Sequence, residues 1–240
     1  MLNIKENKQK IVEVKIKSQN CHAFYLGLIR GVEIRESSQL IKEWLKINGI
    51  QPINNVVDAA NLVMLESGQP LHIFDYDSLP EKKELVVRQA REGEVMVSLQ
   101  NSSLTLRAED IVISAGEKII DLAGIIGARE TAVNSQTRSI FVECAAFCSK
   151  TIKATTNRLN FTTSASRYFC RENSTFASPE YILQRVISLI INSYRGNLNS
   201  GEFFIYQAAK KKELTTTTIT QDFIEKKIGQ KIPELIIENL

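Results

Sequence analysis

The chain has 240 residues, 43% of them hydrophobic and 24% charged, with a formal net charge of +3. That balance belongs to a folded globular protein and excludes a disordered tail, a collagen-like rod and a disulfide-stapled miniprotein. No apolar run approaches the roughly 20 residues that span a bilayer, and the longest, Val186 to Ile191, is broken by Ser188.

Ile11 to Ile16 alternates apolar and polar residues, as a half-buried strand does. Ala23 to Ile34 reads as a longer strand, with Gly27 and Gly31 as bends. Ser37 or Ser38 caps a helix that runs to Asn48 and is stopped by Gly49, with Leu40, Ile41, Trp44, Leu45 and Ile47 on one face and Trp44 expected in the core. Asn54 to Leu65 has helical spacing and ends before Gly68-Gln69-Pro70. Short strands follow at Leu85–Arg88, Glu94–Leu99, Leu104–Leu106, Ile111–Ser114 and Ile119–Leu122, with a hairpin at Ala115 to Lys118 and a further strand at Ile140–Val142. Phe147 to Leu159 reads as a basic helix, and Ser178-Pro179 opens a strong one through Tyr194, ended by Gly196. Past residue 206 come the basic run Lys210–Lys212, a strand over Thr215–Thr220, a helix over Gln221–Ile228 and the start of another after Pro233. So short a segment cannot bury its own apolar face, so a second domain cut short at Leu240 is expected. The domains expected are therefore 1–206 and 207–240.

The N-terminal stretch lacks the apolar centre of a secretion signal. Cys21, Cys144, Cys148 and Cys170 are therefore expected to be reduced thiols in a cytoplasmic protein. Only two histidines are present, neither spaced to help the cysteines hold a metal, so no metal site is expected. Walker and GxGxxG loops are missing from the sequence.

Three segments carry more information. Asn54-Asn55-Val56-Val57-Asp58, Asn61-Leu62-Val63-Met64-Leu65-Glu66 and Gly68-Gln69-Pro70-Leu71-His72-Ile73-Phe74-Asp75 form one nearly continuous string. It closely resembles the NNVVDxTNYVMLExGQPLHAFD signature of the bacterial phenylalanyl-tRNA synthetase beta subunit. Leu122 to Gly127 resembles that family's LAGIMGG segment, Val142 to Ala145 its LESA segment, and Phe161 to Tyr168 its LRTDASxRFERG segment. The likeness covers residues 10 to 200, the editing module, and residues 214 to 240 resemble the start of the small nucleic-acid-binding-type domain that follows it. The sequence departs from the pattern at the TNY triplet, which reads Ala60-Asn61-Leu62, at Ala128-Arg129 and at Cys170-Arg171-Glu172-Asn173.

The resemblance implies an α+β fold of mixed sheets covered by helices, and hydrolysis of tRNA(Phe) wrongly charged with tyrosine. A synthetic site shaped for phenylalanine cannot easily refuse one added hydroxyl, whereas a second pocket can reward it with a hydrogen bond. Glu143 matches the family residue that accepts from that hydroxyl, and a carboxylate suits the task because it only accepts. His72, read as lying in a loop, matches the site histidine. It would bind the terminal ribose, position water or act as a base near pH 7. Asn61, Gly127, Thr163 and Ala165 match positions that bind the substrate or shape the pocket wall. Lys150, Lys153 and Arg158 share a helix face that can meet tRNA phosphates. The family implies tRNA(Phe) and the synthetase alpha subunit as partners, in a heterotetramer that does not involve a membrane. ATP and magnesium belong to the full enzyme, with no cofactor expected on this chain. Two alternatives stand beside this reading: a freestanding deacylase acting in trans, and a non-catalytic tRNA-docking or structural module, the latter suggested by the departures.

Overall fold

The computed structural model describes residues 12–80, 84–171, 179–193, 203–209 and 218–237. The chain divides into two units, Met1–Lys210 and Lys211–Leu240. The first is an α+β unit built on two sheets.

One sheet has five strands in the order β1 (Glu13–Ile16), β4 (Glu84–Gln89), β7 (Ile111–Ala115), β8 (Lys118–Leu122), β9 (Ile126–Gly127). β1 runs parallel to β4 and the remaining pairs are antiparallel. The β7–β8 hairpin closes at Gly116, whose φ of +60° suits a residue without a Cβ. The other sheet is antiparallel, in the order β11 (Phe203–Ala209), β2 (Cys21–Arg30), β10 (Ser139–Phe147), β3 (Leu71–Asp75). A separate hairpin pairs β5 (Val95–Val97) with β6 (Ser103–Thr105). Residue 206, where the sequence changes character, lies inside β11.

The four-stranded sheet is buried on both faces, and strand alternation sorts its side chains. Phe24, Leu26, Leu28, Phe74, Phe141, Ala145 and Phe147 belong to the core shared with the five-stranded sheet. Ile29, Ile73, Ile140, Val142 and Cys144 belong to a second core with α2 (Asn55–Ser67) and α5 (Pro179–Ser193). Glu143 and His72 have the parity of the first set, so both stand on the face toward the five-stranded sheet. β10 is an interior strand, flanked by β2 and β3, so Glu143 is far from a solvated sheet edge. Gly27 does not bend β2. Its register with Val142 and Ile205 is unbroken, and a Cβ there would meet Ile187 Cδ1 at 3.0 Å, so the glycine seats α5.

The motif residues hold the helices. Asn54 caps α2, its Oδ1 accepting from Val56 N and Val57 N at 3.2 and 3.0 Å. Asn55 ties down the preceding loop, accepting from Arg35 N and donating to Glu33 O. Asp58 accepts from Ser37 Oγ at 2.6 Å and Ile53 N at 2.8 Å. Gly68 ends α2 in the left-handed conformation, and buried Gln69 donates from Nε2 to Ala145 O on β10 at 2.8 Å. β3 is thereby delivered to the edge of its sheet. Helix α1 (Gln39–Ile47) is capped by Ser38, but among its apolar residues only Leu45 is buried, and Trp44 is 56% exposed. The expectation of a core tryptophan is corrected: α1 lies against α2, and its buried residue is Leu45 and not Trp44.

α3 (Ser149–Leu159) is anchored by two residues. Thr155 Oγ1 donates to the fully buried Asp110 at 2.8 Å, and the Arg158 guanidinium pairs with the same carboxylate. α4 (Ser164–Phe169) follows. Sequence periodicity missed β9 and α4 because two and six residues are too few to show a period. Ser178, Tyr194, Gly196, Lys210–Lys212, Glu172 and Asn173 lie outside the described residues, and no helix among those described is long and apolar enough to cross a membrane.

The second unit contains α6 (Gln221–Ile228), capped by Thr220 Oγ1 and ended by Gly229 at φ +77°, then α7 (Glu234–Ile237). In the strand expected at Thr215–Thr220, residues 215–217 lie outside the described residues and 218–220 are not strand.

Candidate functional site

A cavity of about 50 Å³ lies where edge strand β9 of one sheet meets edge strand β3 of the other. Its polar lining is His72, Asp121 and Glu143. Pro70, Leu71, Ile125 and Ile126 supply apolar wall, and Ala165 and Phe169 close it from α4.

The backbone fixes this grouping. His72 and Glu143 are direct cross-strand partners on β3 and β10. Asp121 and Gly127 are direct partners on β8 and β9. The two pairs meet through Gly127, because a Cβ on that residue would stand 2.3 Å from His72 Cε1 and 2.5 Å from Nε2. Only a glycine lets the imidazole occupy this place. Gly124 is needed twice over, by its φ of +70° and because a Cβ would lie 3.1 Å from both Ile152 and Phe169. The His72 ring stacks on Phe74 at 5.7 Å between centroids.

Glu143 is 4% exposed, and among the described residues its Oε2 has no hydrogen-bond partner. Such an atom is rare in a folded protein and calls for an explanation. Asp121 is 3% exposed. Burial, and for Glu143 the nearby Asp121 charge, pushes both carboxyls upward, Asp121 to about 7 and Glu143 well above the usual carboxylate range. Glu143 is therefore not the simple ionised acceptor expected from the sequence: burial, and then the Asp121 charge, favour its protonated form. Burial also pushes the half-buried His72 down to about 4, so its imidazole is neutral at pH 7 and a weaker base than expected. His72 lies on a strand, not in a loop.

Of the residues singled out in the sequence, His72, Glu143 and Ala165 line the cavity, and Gly127 backs the imidazole. Thr163 acts one step away. It caps α4 in a reciprocal box with Ser166, and its Oγ1 donates to Ile125 O at 2.7 Å, pinning α4 to the cavity wall. Asn61 is half-buried on α2 and does not line the cavity. Lys150 and Lys153 are exposed on α3, whereas Arg158 is committed to Asp110. Ala128 is buried with extended backbone and begins a 3-10 turn at Arg129–Thr131. Among the described residues no three or more His, Cys, Asp or Glu side chains converge to hold a metal ion. Asp121 is the cavity residue that sequence reasoning missed. A lone carboxylate in the apolar run Ile119–Leu122 was its only signal.

Residues 20–194 match the B3/4 domain family. The chain is 36% identical over 218 residues to the phenylalanine–tRNA ligase beta subunit of Dehalococcoides mccartyi, covering 90% of this chain and 27% of that protein. It is 31% identical over 221 residues to the beta subunit of Streptococcus pyogenes serotype M3, covering 92% and 27%. It thus spans about a quarter of the length of the curated relatives it matches. An N-terminal fragment of the phenylalanyl-tRNA synthetase beta subunit from Pyrococcus horikoshii shares the fold, with a TM-score of 0.51 over 100% of this chain and 65% of that one at 12% identity. The chain belongs to the B3/4 domain family, in the form found in phenylalanine–tRNA ligase beta subunits.

Proposed function

We propose that the cavity takes the aminoacyl end of tRNA(Phe) wrongly charged with tyrosine and hydrolyses the ester. One observation carries this reading: Glu143 offers a buried, unpartnered acceptor to a cavity walled largely by apolar groups. A phenol hydroxyl satisfies that atom, whereas a bare ring leaves it unpaired, at about 1–3 kcal/mol. At about 50 Å³ the cavity has room for water, whereas an apolar cavity of about 150 Å³ takes up benzene. Entry of a ring therefore requires the wall to give.

In the reaction, the oxygen of water bonds to the ester carbonyl carbon, the bond to the ribose oxygen breaks, and the ribose oxygen takes up a proton. His72 is neutral, so one ring nitrogen donates and the other accepts. That suits holding the water or the terminal ribose hydroxyl better than removing a proton, because an imidazole that titrates at about 4 is a weak base at pH 7. Positioning against an activated ester is itself a large source of rate. Gly127 holds the imidazole's place, Thr163 sets α4, and Ala165 bounds the ring. Lys150 and Lys153 supply phosphate contacts. We assign Asn61 no direct contact in this form of the cavity.

The whole protein would work with an alpha subunit in a cytoplasmic ligase that charges tRNA(Phe), with ATP and magnesium used there and not at this cavity. The test is deacylation by the 240-residue chain. Release of tyrosine from tyrosyl-tRNA(Phe), with phenylalanyl-tRNA(Phe) left largely intact, supports the proposal. Equal rates on both, or no release from either, count against it.

A further inference from the structure

We propose that Asp121 is a second specificity residue of this pocket, sharing one proton with Glu143 so that the pair recognises a hydroxyl group that donates and accepts at once. This rests on the reading of the cavity as an amino-acid side-chain pocket.

The geometry points to a shared proton. Asp121 and Glu143 line the same cavity from two different sheets, and they are 3% and 4% exposed. The groups packed around them offer no positive charge. Across from Asp121 stand Ile113 on β7 and Gly127 on β9. Across from Glu143 stand Leu26 on β2 and His72 on β3. From α4 come Ala165 and Phe169. His72 is the only one of these that titrates, and burial keeps it neutral at pH 7. Cys144 follows Glu143 in β10 but lies in the other core, with its thiol pushed up by burial and by Glu143. Among the described residues no lysine or arginine lines the cavity. Two ionised carboxylates in such a place repel each other with nothing to offset them, so the pair keeps a proton.

That proton changes what the pocket reads. One carboxyl is ionised and accepts. The other is protonated and donates. A phenol hydroxyl gives its hydrogen to the first and takes one from the second, which satisfies both. A phenyl ring satisfies neither. Discrimination is then greatest while the pair holds one proton, and it falls at alkaline pH when that proton leaves and no carboxyl donates.

The test is calorimetric binding of L-tyrosine and L-phenylalanine to the chain, from neutral to alkaline pH, for the unaltered protein and for Asp121→Asn. The asparagine amide donates at every pH and carries no charge. In the unaltered protein the ratio of tyrosine to phenylalanine affinity should fall about tenfold as the pair loses its proton, one hydrogen bond's worth. In Asp121→Asn the ratio should not fall over the same range, because the amide goes on donating. A ratio that is flat in the unaltered protein overturns the proposal without any variant. A decline of the same size in Asp121→Asn also overturns it, and leaves Glu143 as the sole reader. Absence of any preference for tyrosine at every pH removes the pocket reading itself, and this proposal with it. A melting curve of Asp121→Asn at each pH confirms that folded protein is being titrated.

Discussion

His72 and Gly127 are locked together: the imidazole sits where any side chain on Gly127 would begin, 2.3 Å from the position of a Cβ. The contact joins the edge strands of two sheets, so the place of the histidine is set by the absence of one carbon atom. Gly127→Ala should therefore move the ring and not the backbone, since the obstructing atoms are the end of a side chain. The expected stability cost is about 1 kcal/mol, the low end for overpacking. Tyrosyl-tRNA(Phe) hydrolysis should fall about 10²-fold, the cost of a misplaced group of roughly 1 Å. Single-turnover rates and a urea titration on the same sample measure both. An unchanged rate would show that the position of His72 does not matter.

The site should leave two opposite signatures in stability against pH. His72 falls from 6.5 to about 4 on folding, so the unfolded chain holds its proton more tightly. Its contribution is complete above 6.5 and is lost as pH falls toward 4. Asp121 rises from 3.8 to about 7, so the folded protein holds that proton more tightly. Its contribution is complete below 3.8 and is lost as pH rises through about 7, with Glu143 acting in the same sense. The two slopes oppose each other between about 4 and 6.5. His72→Gln should leave a stability that falls steadily with rising pH there. Asp121→Asn should flatten the curve there, His72 and Glu143 offsetting each other, and be more stable than the parent at pH 8. Urea midpoints across this range decide the matter, and parallel curves for parent and both variants would contradict the burial of these groups.

Ala165 tests the wall. Ala165→Leu adds three carbons beside a cavity of about 50 Å³. If that space receives the substrate ring, hydrolysis should be lost while the melt falls by less than about 1 kcal/mol. If Ala165 is instead a close core contact, the substitution overpacks the interior and costs about 1–3 kcal/mol or more. A folded Ala165→Leu protein with full hydrolysis would remove the residue from the pocket.

The basic face of α3 splits by structure. Lys150→Ala and Lys153→Ala touch exposed side chains, so each should change stability by less than about 0.5 kcal/mol. Each should weaken tRNA(Phe) binding and lower its salt slope by about one. Arg158→Ala removes the guanidinium from the buried Asp110 carboxylate. The expected loss is about 3 kcal/mol, the lower end for breaking a buried pair, because Thr155 and the Arg107 amide still donate to Asp110. Filter binding over a salt series, with melting curves, separates the two classes.

The legible part of the sequence was mostly scaffold. In the longest motif string Asn54, Asn55, Asp58 and Gln69 cap, clamp and tether, and they reveal themselves because capping and turn chemistry are local. From the same string His72 alone of the polar side chains reaches the cavity. Its place in the chain was readable, but not its neutral state, which burial imposes. Asp121 was hidden because a carboxylate in a short apolar strand reads as a solvent-facing position. Its burial arises from β9 folding back beside it, and β9 is only two residues long. The amphipathic pattern of α1 was plain, but not which apolar side chains would be covered: Leu45 is, and Trp44 is not. Residue type and period predict that a face exists, while the neighbours that cover it come from distant parts of the chain.

Glu143 carries the functional reading, and a rate ratio tests it directly. Initial deacylation rates on tyrosyl-tRNA(Phe) and phenylalanyl-tRNA(Phe) should be measured for the parent chain and for Glu143→Ala, with melting curves alongside. The variant loses a buried carboxyl whose Oε2 has no partner, so the fold should hold. The expected result is a parent that strongly favours the tyrosyl ester and a variant whose two rates converge, a change of at least about tenfold in their ratio. A folded Glu143→Ala protein that keeps the parental ratio would contradict the assignment of Glu143 as the group that reads the substrate.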